Sequence, residues 1–196
     1  MASAGCFFGF YFNYVPLGRT PDLSLMPTPE PRRSRSRRVR DLRRSGPVLV
    51  TDCWCDGDLA RGCLSAGRVY FHVNAAGGVE PCVFHQFSMD SILDRPLIDA
   101  LDSPYFRHLR GAIATFDDWS RPCPVIDRPD VARAAITRFG ARPSQPGGER
   151  LLAGPVADSL DRDAAELRAV MDRERETERE EPGGVPRARR TSPTGT

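Results

Sequence analysis

The chain has 196 residues, of which 40% are hydrophobic, enough for one ordinary domain or one and a half small ones. Its net charge of +2 argues against a nucleic-acid or anionic-membrane binder, and its 28 basic residues, all arginine, are assigned to genomic base composition. The longest apolar run, Cys6 to Val15, is too short to span a bilayer, contains Asn13, and lacks the preceding positive charge of a secretory signal. A cytoplasmic chain is therefore expected, with six cysteines serving as ligands or free thiols, not as disulfides.

From the N-terminus, Phe7 to Val15 is aromatic and β-prone, and Pro16-Leu17-Gly18 closes it with turn chemistry. Thr28-Pro29-Glu30 sets a capping hydroxyl before a first-turn proline, and Arg32 to Arg44 continues as a helix with Val39 and Leu42 on one stripe. After Ser45-Gly46, Pro47 to Thr51 has the β-branched content of a buried strand. Strand, helix, strand is a crossover unit, normally parallel and right-handed. Two parallel strands and one helix cannot stand alone, because parallel sheets have several strands and are covered on both faces. The unit reads as part of something larger.

Further on, Arg68 to Val73 and Val79 to Phe84 read as a hairpin, with Gly77-Gly78 free to take positive φ in its turn. A helix is expected around Leu97 to Arg110, with a second helical stretch starting near Ser103-Pro104. Asp130 to Phe139 and Asp158 to about Arg179 read as two more, the last with the apolar stripe Leu160, Ala164, Leu167 and Met171. The end of the chain, 182–196, lacks the apolar residues that offset ordering entropy and is expected to be disordered.

Three cysteines carry the chemistry. Cys63 is followed by thirteen residues, Gly77, four residues and Cys82, and Cys123 lies in the proline-clamped turn Arg121-Pro122-Cys123-Pro124. Free cysteines often behave as small buried hydrophobes, but the glycine and proline flanks favour ligation. Iron with sulfide, or zinc completed by His85, would suit such thiolates. Cys6 reads as a buried free thiol, and His108 as a surface residue. His72 reads either as a half-exposed strand residue or as a donor to a metal-bound sulfur. The arginines between Arg32 and Arg44, without interleaved aromatics, read as a solvated helix face and not as a nucleic-acid surface.

The stretch from Gly62-Cys63 through Arg68-Val69-Tyr70-Phe71-His72-Val73-Asn74 to Gly77-Gly78-Val79-Glu80-Pro81-Cys82 resembles the auxiliary-cluster segment of radical S-adenosylmethionine (radical SAM) proteins of the SPASM or twitch type. Leu97 to Arg110 looks like the helix that follows that hairpin, and Tyr14 to Arg19 with Met26 to Glu30 looks like the end of the family's partial β/α barrel. The resemblance implies one 4Fe-4S cluster on Cys63, Cys82 and Cys123. Cys55 is the first choice for the fourth ligand, with Cys53, His85, a substrate or no fourth ligand as alternatives. No Cys-x3-Cys-x2-Cys loop occurs anywhere in the sequence, so this chain alone is not expected to cleave S-adenosylmethionine.

The fold expected is an α/β fragment, the last βαβ unit of a partial barrel (1–52), followed by a small α+β SPASM- or twitch-like cluster domain (53–142), a C-terminal helical segment (143–181) and the tail (182–196). The function expected is iron–sulfur binding as the auxiliary portion of a radical SAM-like protein, inactive unless a separate barrel chain partners it, without a membrane or nucleic acid. A small zinc-stabilised interaction module using the Arg-rich helix, or a gene remnant without function, is the alternative.

Overall fold

The computed structural model describes residues 2–180; the segment 182–196, expected to be disordered, lies outside them. Strand β1 (Phe8–Tyr11) and strand β2 (Leu49–Asp52) pair in parallel, with Phe8 opposite Leu49 and Tyr11 opposite Asp52. Helix α1 (Pro29–Ser45) joins them. Pro29 presets the φ of its first turn, whereas the Thr28 hydroxyl caps no backbone N–H. Gly46 ends the helix by donating to the Leu42 carbonyl at 2.7 Å, and a Cβ there would stand 2.7 Å from the same oxygen.

α1 packs on β2, burying Val39 and Val50. Gly9 and its partner Val50 share that buried face, while Phe8, Phe10 and Leu49 are exposed on the other. The Phe10 and Phe12 rings stack at 4.4 Å, and Phe8 meets Phe10 edge-on at 5.6 Å. β1 is shorter than the aromatic run because Asn13 and Val15 leave the strand and turn inward.

After the short helix α2 (Gly57–Ala60), strand β3 (His72–Val73) pairs antiparallel with β4 (Gly78–Glu80). The hairpin is shorter than its apolar pattern. Val69 and Tyr70 are folded back by backbone bonds to the Leu64 carbonyl, around Ala66 and Gly67 at positive φ. Gly77 takes φ +84°, but Gly78 does not share it. Gly78 is needed for space, since a Cβ there would lie 2.8 Å from Asn74 Nδ2. Strand β5 (Phe87–Ser88) precedes β6 (Asp90–Ser91), which adds to β4; β5 itself pairs with β7 (Arg142–Pro143).

The helical half comprises α3 (Leu97–Leu101), α4 (Pro104–Ala114), α5 (Pro129–Phe139) and α6 (Pro155–Glu180). Ser103 caps α4 by accepting from the Phe106 N–H at 3.4 Å, and Pro104 starts its first turn. α4 and α6 both pack against α5, and α6 also packs against α1. The expected stripe of Leu160, Ala164, Leu167 and Met171 is buried along α6. One apolar cluster runs from Val15 and Trp54 through Phe87, Tyr105, Phe106, Leu109 and Ile113 to Leu160, so the thiol-bearing loops lie against the same core as the helices.

Candidate metal centre

Four loops deliver the thiols. Cys53 begins a turn held by Asp52, whose carbonyl accepts from Cys55 and Asp56 and whose Oδ1 accepts from the Trp54 N–H at 3.1 Å. Cys63 follows a left-handed step at Arg61 and Gly62, and its thiol lies 3.1 Å from Ser65 Oγ. Cys82 follows β4. Its sulfur lies 2.6 Å from the Tyr70 hydroxyl, and the Phe84 N–H points to it at 3.4 Å. Cys123 sits in a turn closed by its own carbonyl, which accepts from Asp127 and Arg128. The Cys123 N–H donates to Asp127 Oδ2 at 3.0 Å, and Asp127 Oδ1 accepts from Arg32 at 2.6 Å. Asp127 therefore ties α1 to the Cys123 loop.

These thiols perturb one another. Burial, then the neighbouring Cys63, pushes the Cys53 thiol up to about 11. Cys82 is also pushed to about 11, by burial first; the Tyr70 hydrogen bond opposes the rise, and Cys63 and Cys53 add to it. Cys123 is raised well above its ordinary value by burial and then by Cys63, and burial likewise raises Cys63. Four largely apolar-packed thiols near one another disfavour thiolates in the free protein, and a bound cationic group would reverse that by favouring the charged form. Among the described residues, no group of three or more His, Cys, Asp or Glu side chains is close enough to hold a single metal ion.

Cys55, the first choice from the sequence for the fourth ligand, lies on the α1 side, where Arg32 stands near both its thiol and that of Cys123. The Cys55 sulfur accepts from Arg35 Nη2 at 3.6 Å, and the residue lines a cleft with Arg32 and Ser36. Cys53 is the residue that stands within electrostatic reach of Cys63 and Cys82. Position in the sequence gave no means of choosing between thiols two residues apart on a turn.

His85 is fully buried, with Nε2 2.9 Å from the Tyr105 hydroxyl, between the Phe87 and Tyr105 rings. It is a core residue. His72 is half-buried, but its Nδ1 meets Glu80 Oε2 at 2.8 Å, so it serves a carboxylate and not a sulfur. Glu80 itself is buried and also accepts from Asn74 and Ser144, which fixes the strand leading to Cys82. Cys6 is exposed, contrary to the buried thiol expected, because the start of β1 lies at the bare sheet face. His108 is half-buried, its ring 5.3 Å from that of Phe139.

The Arg-rich helix is not a solvated face along its length. Arg32 pairs with buried Asp127, Arg35 with Asp52 at 2.7 Å, Arg43 with Asp56 at 2.5 Å, and Arg33 with Glu174 of α6. Arg38 and Arg44 do face solvent. Composition could count the arginines but could not supply their partners, two of which, Asp127 and Glu174, are distant in sequence. Tyr70 and Asp127 were also missed; the spacing of Asp127, four residues after Cys123, is the signal that a turn-closing acid was present.

Comparison with known protein families, with curated proteins and with solved structures finds no match to this chain. No helix among the described residues is long and apolar enough to cross a membrane.

Proposed function

We propose that the chain binds one 4Fe-4S cluster through Cys53, Cys63, Cys82 and Cys123, as the auxiliary-cluster portion of a radical SAM-like protein. The observation that carries this reading is that thiols from four separate loops meet electrostatically around Cys63, which, after burial, raises Cys53, Cys82 and Cys123, while Cys53 also raises Cys82 and Cys82 raises Cys123. A tetrahedral zinc ion needs its four sulfurs within about 4 Å of one another, since each Zn–S bond is about 2.3 Å. The thiolates of a cubane bind different irons and stand farther apart. The preference for a cluster over zinc follows from the resemblance of the Cys63-to-Cys82 segment to the auxiliary-cluster type. Bound there, the cluster would supply electron transfer or a substrate anchor, while Tyr70 orients the Cys82 sulfur.

The same reading includes a separate barrel chain as partner. Its support is the two-stranded parallel sheet with Phe8, Phe10 and Leu49 exposed on one face, a sheet of the kind normally extended and covered. The chain would work in the reducing cytoplasm, which suits six free cysteines. S-adenosylmethionine cleavage is left to that partner.

Anaerobic reconstitution with iron and sulfide, followed by metal analysis and absorption spectroscopy, tests the cluster. Wild type should take up about four irons per chain and absorb broadly in the visible. Cys82→Ala and Cys53→Ala should lose that absorption and Cys55→Ala should keep it. Wild type without iron, or with zinc in its place, would overturn the proposal; loss in Cys55→Ala with retention in Cys53→Ala would overturn the ligand set.

A further inference from the structure

Between α1, the Trp54-Cys55 turn and α6 lies a cleft of about 40 Å³. Its polar wall is made almost wholly of donors. Arg32, Arg33 and Arg40 line it with the Trp54 indole, and Asp58 is the one acid among the described lining residues. Leu167 and Met171 of α6 form its apolar side.

The donors exceed their acceptors. Arg32 and Arg33 each use a terminal nitrogen on a carboxylate, Asp127 and Glu174, but the Arg33 Nε and the Trp54 Nε1 are buried with no hydrogen-bond partner. Trp54 is 4% exposed, so bulk water does not satisfy its N–H. Among the described residues, Arg40 bonds only to Ser36 Oγ, at 2.8 Å. A buried N–H left without an acceptor costs on the order of a hydrogen bond or more.

We infer that this cleft binds a small oxyanion of the size and charge of inorganic phosphate, held by Arg40, the Arg33 Nε–H and the Trp54 Nε1–H. The chemistry fits in three ways. An oxyanion offers several acceptor oxygens to N–H groups arriving from different directions, as guanidinium forks and an indole do here. Its charge suits Arg40, which pairs with no carboxylate among the described residues. Its size matches a space that holds roughly three waters but no sizeable organic ligand.

The rival occupant is water, and calorimetric titration of the full chain with inorganic phosphate at constant ionic strength separates the two. Wild type should bind one phosphate saturably, and chloride at the same ionic strength should give no saturable heat. Arg40→Gln should weaken binding at least about tenfold, and Trp54→Phe, which keeps the ring and removes the N–H, several-fold. Arg38→Gln, on the same helix but outside the cleft, should bind as wild type does. Arg40 and Arg38 are both exposed residues, so neither change threatens folding. Absence of saturable heat, or equal weakening by Arg38→Gln and Arg40→Gln, would leave a hydrated cleft and overturn the inference.

Discussion

The βαβ unit of residues 8–52 and the helical half from Leu97 onward are held by different chemistry. In the helical half Tyr105, Phe106, Leu109, Ile113 and Leu160 are each at most 1% exposed, and apolar burial is the stabilising term. The βαβ unit buries few large apolar side chains, Val15, Val39 and Val50 among them, and is tied by Arg32–Asp127, Arg35–Asp52 and Arg43–Asp56. Desolvation offsets most of the attraction in a buried ion pair, so such pairs fix an arrangement more than they stabilise it. Two of the acids involved with α1, Asp127 and Glu174, come from the other half. The N-terminal unit is thus positioned by the helical half and has few apolar contacts of its own to hold it.

The sharpest way to break that contrast is at Asp127, whose side chain is fully buried. Asp127→Ala leaves Arg32 buried without its counter-charge and the Cys123 N–H without its acceptor, and should cost about 3–5 kcal/mol in urea unfolding. Replacing both partners, Arg32→Met with Asp127→Asn, should restore most of that stability, because an absent pair costs less than a broken one. A loss below about 1 kcal/mol in Asp127→Ala would show that water reaches the pair and that the N-terminal unit is not anchored there.

A smaller effect belongs to the helical half. Burial pushes His85 down to about 4 from its ordinary 6.5. The folded protein therefore keeps this imidazole neutral where the unfolded chain takes a proton. Its contribution is fully present above pH 6.5 and is lost as pH falls toward 4, by roughly 3 kcal/mol over that window. His85→Gln should flatten the stability profile between pH 6.5 and 4, whatever its cost at neutral pH. A wild-type profile flat through that window would mean that the ring is hydrated and that this core is looser than its packing indicates.

The sequence made local features legible where periodicity and end signals act within one segment. α1 carries its proline start openly, although Leu42, expected on a stripe with Val39, is exposed, and Leu160, Ala164, Leu167 and Met171 of α6 fall in the core as their spacing predicts. The parallel pairing of β1 with β2 follows from the length of the helix between them. What stayed hidden depends on partners far along the chain. Tyr70 reaches Cys82 only because the chain reverses at Ala66-Gly67, which shortens the hairpin. His72, His85 and the arginines are committed to Glu80, Tyr105 and remote acids, and no spacing rule records such pairings. For the thiols, no spacing records that Cys53 is raised by burial and Cys63 while Cys55, two residues on, meets Arg35.

The smallest expected effect sharpens the contrast from the other side. Phe10 is 46% exposed, and its ring stacks on Phe12 at 4.4 Å. Phe10→Ser removes two exposed aromatic pairs, with Phe8 and Phe12, so the isolated chain should lose only about 1 kcal/mol. Leu109→Ala, at a fully buried site, should lose about 2–5 kcal/mol by the same measurement. An apolar dye that fluoresces on bare hydrophobic surface should bind less to Phe10→Ser than to wild type, because Phe8, Phe10 and Leu49 form one exposed face. A Phe10→Ser cost above about 2 kcal/mol with unchanged dye binding would mean that the isolated chain already covers this face, and would remove the structural support for a barrel partner. The predicted pair of results, little stability lost and less dye bound, is what a surface awaiting a second sheet should give.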